Sequence, residues 1–595
     1  MYILGLSCFY HEAAACLLKD GVVVAASAEE RFSRKKHDSE FPHLAIDFCL
    51  QTAGISIQDV DYVVFYEKPF WKFQRILLSS ISNYPFAFRF FAKAMVTWLS
   101  DKLWVRSLIA DKLRIDTKKI LFVAHHISHA AASFYPSGFE KSAILTVDGV
   151  GEWTTATYGI GEDKKLDILA EMKFPHSLGL LYSVFTAFLG FEVNDGEYKV
   201  MGMAPYGKPI YVDKVKKLYK QFSDGSFHLD MDYFTYQKSE SKAFGQKFVD
   251  LFGDPRPRDL HFFTKSSGYP SYFGDKPANY DEICELNQRY ADIAASVQAV
   301  TEEILLKLAE TIYEKTGMEN LCIGGGVALN SVANGVLLRK GPFKRIFIQP
   351  AAGDDGGALG AAFYAYHAIL GKPRNFVQTN SYFGIEFSNK EIEEFLMKKK
   401  IPYKKILSEE KLLDIMVDAL SQKKVIGFFH GRAEWGPRAL GSRSIVADPR
   451  SEEMKEIVNT KIKFREPYRP FAPVVTAEKA EDYFELGKKE HQYLTNFMLG
   501  VFQVKKEKKK VVPAITHVDG SARPQIITEK QNSRYYNLVK KFGQKTGVYV
   551  LMNTSFNLKG EPIVNSPENA FNTFKKSGLD LLVLENYVVR KEEIE

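Results

Sequence analysis

The sequence predicts an α/β protein of more than one domain, and three observations carry that reading. Strand-like apolar runs joined by glycine-bearing turns open the chain at YILGLS (2–7) and ACLLKDGVVVAASAEE (15–30). The same pattern returns at SAILTVDGVGEWTTATYGIGEDKKLDILAEMKF (142–174), which suggests two related halves facing a cleft. A unit of different character, dense in Arg, Lys, Gly and Pro, then begins near residue 423, after a turn-rich stretch holding Gly371 and Pro373. We therefore expect a first domain at 1–370, a linker at 371–404 and a second domain at 405–595.

Each element has a local reason. Asp20-Gly21 between two apolar runs signals a hairpin. Residues 281–317 carry a long helical pattern, and ENLCIGGGVALNSVANGVLLR (319–339) reads as strand, turn and helix. Gly324, Gly325 and Gly326 would permit close backbone approach of a nucleotide, and Asn330 can hydrogen-bond a ribose or base; a tight turn is the alternative. The aromatic-rich stretch 70–105 is broken by Arg75, Arg89, Lys93 and Lys102 before ~18 clean apolar residues accumulate, so it predicts a helical insertion or lid and no membrane span.

Composition excludes several classes. A net charge of +7 over 595 residues is mild, fits phosphorylated substrates and does not demand nucleic acid. The five cysteines lack any C-x-x-C pair, so neither a disulfide framework nor a zinc ribbon is expected. No basic leader precedes MYILGLSCFYHE, and a cytoplasmic location is expected.

The chemistry concentrates in VAHHISHAAASFYPSGFEKSAILTVDGVGEW (123–153). His125 and His129 are four apart, which places both imidazoles on one helix face. Asp148 ends an apolar strand, and Gly149 and Gly151 follow it, where a phosphate could approach the backbone. In AAGDDGGALGAA (351–362), Asp354 stands at the mouth of a helix and supplies a fourth ligand, with a helix N-cap as the alternative. The set His125, His129, Asp148, Asp354 offers two nitrogens and two oxygens, which suits iron or zinc better than magnesium. In the second domain, Arg443, Lys463, Arg465, Arg469 and Arg523 sit among Gly, Pro and aromatic residues, and Ser555 follows an apolar strand. Arg suits bidentate phosphate contacts and Lys acts as a point charge, so an anion site is expected there, with RNA binding as the contender.

Taken in order, ILGLSCFYHEAAACLL, AEERFSRKKHDSEFP, HHISHAAASFY, TVDGVGEW, GEYKVMGMAPYG, GGGVALN, AAGDDGGALGAA, GRAEWGPRALGSRSI, IKFREPYRPFAP and NTSFN resemble the NodU/CmcH family of O-carbamoyltransferases over about residues 1–590. That family includes tobramycin, cephalosporin and nodulation-factor enzymes. The resemblance implies an N-terminal actin-like (ASKHA) duplicated domain of the threonylcarbamoyl-transferase type and a C-terminal YrdC-like α/β domain. It implies that carbamoyl phosphate and ATP give carbamoyl-adenylate and pyrophosphate in the second domain, and that an acceptor hydroxyl takes the carbamoyl group in the first, with AMP leaving. By motif, His125, His129, Asp148 and Asp354 would hold iron, with zinc or another divalent metal as alternatives. Lys463, Arg469, Arg523 and Ser555 would bind carbamoyl phosphate and ATP, the latter with magnesium. His11 would lie near the transfer site, and Lys199 and the Gly324–Asn330 loop would contact the adenylate. Asp230 or Asp232 is a candidate base or part of a surface loop. The implied partner is a small-molecule or sugar acceptor with a free hydroxyl; a homodimer is suggested by analogy alone. Competing readings are a tRNA- or hydrogenase-maturation-type carbamoyl transferase, an actin-like small-molecule kinase, and a non-catalytic nucleotide-binding scaffold.

Overall fold

The computed structural model describes residues 1–594 except 86, 88–90, 94, 97, 99–101, 240–241 and 467. The chain divides into two units. The first comprises Met1–Ala26, Ser39–Tyr269 and Lys276–Gln378; the second comprises Ser27–Asp38, Pro270–Asp275 and Thr379–Glu595.

Unit 1 contains two five-stranded sheets of the same topology. In the first, β1 (Tyr2–Ser7), β2 (Ala14–Lys19), β3 (Val22–Ala28), β4 (Tyr62–Phe65) and β5 (Ile120–Phe122) lie in the order β3-β2-β1-β4-β5. Asp20 and Gly21 join β2 to β3 with φ of 49° and 80°, the left-handed pair that a two-residue hairpin demands. In the second sheet, β6 (Lys141–Val147), β7 (Thr154–Glu162) and β8 (Lys165–Lys173) are followed, after the small ribbon β9 (Tyr219–Gln221) and β10 (Phe227–Leu229), by β11 (Asn320–Gly324) and β12 (Arg345–Ile348). Its order is β8-β7-β6-β11-β12. In both sheets the first strand pairs antiparallel with the second and parallel with the fourth. This is the duplication that the repeated strand pattern predicts, and it agrees with the actin-like domain that the resemblance implies.

Five helices matter for the site: α1 (Pro69–Ser82), α2 (His125–Phe134), α3 (Tyr280–Thr316), α4 (Ser331–Lys340) and α5 (Asp354–Tyr364). Helix α5 packs against both α2 and β1. Small residues permit that approach: a Cβ on Gly360 would stand 1.8 Å from the Ser128 carbonyl oxygen, and one on Gly5 would stand 1.9 Å from that of Ala358. The crossing brings the first residue of α5, Asp354, beside the first turns of α2.

Unit 2 is α/β around one mixed sheet. Its strands are β13 (Lys404–Lys405), β14 (Ile426–Phe429), β15 (Arg443–Ala447), β16 (Ala472–Thr476), β20 (Gln525–Ile527), β21 (Val550–Ser555), β22 (Leu581–Leu584) and β23 (Tyr587–Arg590), in the order β13-β23-β22-β14-β15-β21-β16-β20. A side sheet holds β17 (Phe484–Glu485), β18 (Phe502–Val504) and β19 (Ser521–Ala522). Of the stretch 371–404, residues from Thr379 onward belong to unit 2, where Asn389–Lys398 forms a helix closed by a Ser388–Glu391 capping box. Ser27–Asp38 also belongs here: Arg31 donates to the Gly436 carbonyl at 2.7 Å, and Arg34 donates to the carbonyls of Pro562 and Ile563, both at 2.6 Å.

Of the aromatic-rich stretch 70–105, α1 and the start of helix Val105–Leu113 are helical, while Arg89 lies outside the described residues. Among the described residues, no helix is long and apolar enough to cross a membrane.

Candidate metal centre and anion site

His125, His129, Asp148 and Asp354 converge: one ligand atom from each lies within 4.8 Å of the others. Three elements deliver them. Helix α2 stacks the two imidazoles one turn apart, with their Nε2 atoms 3.0 Å from each other. Asp148 follows the last residue of β6, and Asp354 opens α5. The Nε2 of His125 lies 2.9 Å from Asp148 and 3.6 Å from Asp354, and that of His129 lies 3.6 Å from each. Metal–ligand bonds of 2.0–2.2 Å in a tetrahedron give ligand–ligand edges of about 3.4 Å. Two imidazoles and two carboxylates at these separations, all largely buried, fit a transition metal. The set excludes Asp355, whose carboxylate accepts the Gly356 N–H at 2.9 Å.

The surroundings hold these ligands in place. Asp148 Oδ1 accepts the N–H of Gly326 at 3.0 Å, which leaves Oδ2 facing the imidazoles. Buried Glu152 accepts the backbone N–H of His125 at 3.0 Å and so anchors the start of α2. Burial and the neighbouring His125 and His129 push His126 down to about 3, and this neutral ring is tied to Thr146 at 2.6 Å and to the Thr154 carbonyl at 2.9 Å. It is a structural residue.

Burial disfavours every charge at the centre, but mutual pairing prevails. The carboxylates of Asp148 and Asp354, each 3.6 Å away, push His129 up to about 9 in spite of its burial. Against the opposing effect of burial, the imidazoles hold Asp148 well below the usual carboxylate range and lower Asp354 as well. A ligating imidazole must be neutral, so a metal displaces the His129 proton, whereas the carboxylates have none to lose. Below pH 9 the proton competes, and above it the competition ends. We expect the affinity for Co²⁺ to rise about tenfold per pH unit from neutrality and to level off near pH 9, followed by absorbance titration.

Other predicted residues of unit 1 have mixed outcomes. The His11 ring lies 4.1 Å from that of Tyr10, tilted 57° to it, and is close enough to Asp354 to help lower its carboxyl. The glycines serve packing: a Cβ on Gly151 would meet the His125 ring at 2.8 Å, one on Gly324 would meet the His129 carbonyl oxygen at 2.6 Å, and one on Gly325 would meet that of Val147 at 2.3 Å. Gly149 has more room, its nearest neighbour for a Cβ being Leu180 at 4.0 Å. Asn330 caps α4 through Ala333 N–H, and its side chain also exchanges hydrogen bonds with Gln298, so its amide is already engaged. Lys199 lies 5.6 Å from the centre of the Phe191 ring. Asp230 and Asp232 are exposed, with Lys247 at 3.5 and 3.1 Å; they form a surface loop.

In unit 2 the strand register assembles a cationic cluster. Ser555 ends β21, which runs antiparallel to β15 and β16, and β20 runs parallel to β16. The end of β21 therefore lies beside the segments that lead into β15, β16 and β20, which carry Arg438, Arg469 and Arg523. Buried Lys463 donates to Ser555 O at 2.8 Å and to Asn557 Oδ1 at 2.6 Å, and Ser555 Oγ donates to the same Oδ1 at 2.7 Å. Burial, then Arg465 and Arg469, push the Lys463 ammonium well below its usual value. Arg523 is lowered well below its usual value by burial, then by Arg438, Arg465 and Arg469. Arg523 makes no hydrogen bond or ion pair among the described residues. Arg469 has Glu466 at 3.4 Å. Such a concentration of cations is suited to a polyanion.

One expected member is absent from this cluster. Arg443 is fully buried, donates to the carbonyls of His430, Gly431, Ser442 and Ile385, and stacks 3.6 Å over Phe429. It braces loops; Arg438, five residues earlier in the same motif, takes its place. Glu434 fixes that loop by accepting the N–H groups of Leu440, Ser442 and Arg443. Arg438, Asn557 and Glu152 were missed as candidates, although each lies inside a motif already singled out.

Residues 2–363 match the family model for the carbamoyltransferase N-terminus, and residues 417–591 match that for the carbamoyltransferase C-terminus. An uncharacterised protein of Synechocystis sp. is 46% identical over 99% of this chain and 97% of its own. The nodulation protein NolNO of Sinorhizobium fredii is 36% identical over 98% of this chain and 79% of its own. The 3'-hydroxymethylcephem-O-carbamoyltransferase of Streptomyces clavuligerus is 35% identical over 41% of this chain and 44% of its own. With both halves matched in order, the chain belongs to the NodU/CmcH family of O-carbamoyltransferases.

Proposed function

We propose that this carbamoyltransferase uses ATP to activate carbamoyl phosphate at the unit 2 cation cluster and transfers the carbamoyl group to an acceptor hydroxyl at the His–Asp centre of unit 1. The observation that supports it best is Arg523, a largely buried guanidinium that faces three others and pairs with nothing among the described residues. Phosphates bound there would offset the cost of holding these charges together.

Atom balance defines the first stage. Water splits carbamoyl phosphate into carbamate and orthophosphate; a carbamate oxygen then attacks the α-phosphorus of ATP, the bond to the β-phosphate bridge breaks, and pyrophosphate leaves. Arg438, Arg465, Arg469 and Arg523 offset the charge of the phosphates, magnesium accompanies ATP, and Lys463 and Ser555 orient the carbamoyl end.

In the second stage the acceptor oxygen attacks the carbamoyl carbon, the carbonyl carbon–oxygen bond to AMP breaks, and AMP departs. His125, His129, Asp148 and Asp354 would hold iron or another transition metal, which when bound supplies Lewis-acid stabilisation of the oxygens that gain charge. His11, within electrostatic reach of Asp354, would in its neutral form take the hydroxyl proton, an effect typically worth ~10²–10⁴-fold. The Gly149 and Gly326 loops and Lys199 would receive the adenylate.

Product analysis tests the reading. Carbamoyl phosphate, ATP and enzyme should yield pyrophosphate, orthophosphate and, with an acceptor alcohol, AMP. Formation of ADP in their place would make the protein a kinase.

A further inference from the structure

Helix α1 has its amphipathic character reversed. Its buried residues are Lys72, Arg75 and Ser80, while Phe70, Trp71, Leu78 and Ile81 are 43–68% exposed. A surface helix ordinarily buries its apolar stripe. A polar, cationic inner face therefore has to line something polar.

One of the three inner residues has a clear environment. Lys72 donates to buried Glu67 at 2.7 Å and lies 3.7 Å over the Tyr10 ring. Ser80 is small. Arg75 is different: it is only 8% exposed and stacks 5.1 Å from the centre of the Phe174 ring, yet it makes no hydrogen bond and no ion pair among the described residues. The two carboxylates near it are turned elsewhere. Glu67 holds Lys72, and Glu152 accepts the backbone N–H groups of His125 and Lys68. A guanidinium has five N–H donors and a permanent charge, and burying it without acceptors is strongly unfavourable.

Arg75 also stands beside the transfer centre. Glu152 accepts the backbone N–H of Lys68, where α1 begins, at 2.8 Å and that of His125, where α2 begins, at 3.0 Å, and Tyr10, under Lys72 of the same helix, lies within electrostatic reach of Arg75, Asp148 and Asp354. We propose that Arg75 is an acceptor-specificity residue that binds an oxyanion, a carboxylate or a phosphate monoester, carried by the acceptor alcohol. A bidentate oxyanion would satisfy its N–H groups and balance its charge, which a neutral carbonyl cannot do. Lys72, already neutralised by Glu67, adds shape more than charge. The acceptor is thereby a hydroxy acid, a uronic acid or a phosphorylated alcohol, with its hydroxyl directed at the His–Asp centre. This rests on the assignment of acceptor transfer to that centre.

The test uses two matched pairs of probes, D-glucuronate with D-glucose and glycerol 3-phosphate with glycerol. Calorimetry on the metal-loaded full chain measures binding, and mass spectrometry measures carbamoylated product with ATP and carbamoyl phosphate present. At least one charged member should bind tenfold or more tighter than its neutral partner. R75Q should erase that preference, R75K should retain part of it, and pyrophosphate formation should be unchanged in both. Equal or absent binding of the charged members, a preference that survives R75Q, or an R75Q defect in using the adenylate with every acceptor alike would overturn the proposal. Absence of pyrophosphate from the wild type would instead refute the activation chemistry and leave the binding preference standing.

Discussion

On the proposed function, Asp148→Ala is expected to abolish metal binding at the His–Asp centre and to lower carbamoyl transfer by roughly 10³-fold, equivalent to about 4 kcal/mol of lost transition-state stabilisation. Asp148 is the hub of the centre. One oxygen is fixed by Gly326 N–H at 3.0 Å, and the other meets both imidazoles, at 2.9 and 3.6 Å. Removing it takes away a ligand and also a principal partner of the His129 proton. The cation cluster of unit 2 has no residue in common with it, so pyrophosphate release should continue at the wild-type rate. Metal content, transfer rate and pyrophosphate release, measured on the same preparation, decide the matter. Parallel loss of both activities with an unchanged melting curve would mean that the two stages share one site.

Arg523→Met is expected to do the reverse, and to carry an unusual sign in stability. Removal of a preorganised donor to a developing phosphate charge typically lowers rate by ~10²–10³-fold, so pyrophosphate formation should fall by that factor while metal content stays at the wild-type level. Without substrate, the variant should be more stable than the parent, because burial and three nearby guanidiniums all oppose the Arg523 charge. Even a buried ion pair replaced by apolar side chains of similar volume is often neutral or stabilising by about 1–4 kcal/mol, and Arg523 has no counter-charge to lose. Saturating ATP and carbamoyl phosphate should reverse the order, since ligand stabilises only the protein that binds it. Thermal unfolding with and without substrates reads both signs; a variant less stable in both conditions would show that Arg523 is a packing residue.

The parts of the site that were legible from residues alone are those set by short-range geometry. The four-residue spacing of His125 and His129 puts them on one helix face, and Asp20-Gly21 between apolar runs defines its hairpin. Repetition of that hairpin in the second sheet made the duplication visible. What stayed hidden depends on partners far away in sequence. Gly151 and Gly324 are small because the His125 ring and the His129 backbone lie against them. Asn330 looks like a nucleotide ligand until Gln298 is found at its side. Arg443 and Arg438 share a motif, and only the fold decides that one braces carbonyls while the other faces Arg523. Residue type announces what a side chain can do; what it meets is a matter of tertiary structure.

The membership of Ser27–Asp38 and Pro270–Asp275 in the second unit has a practical consequence for dissection. No single cut frees that unit, because a fragment starting at residue 379 lacks the arginines that hold the Gly436, Pro562 and Ile563 carbonyls. On the ribosome the earliest of its pieces emerges some 350 residues before Thr379, so its assembly waits for almost the entire polypeptide. Gene splitting or fusion at the apparent junction would thus yield a C-terminal product with bare backbone acceptors, and activity assays on such a fragment would report a damaged protein.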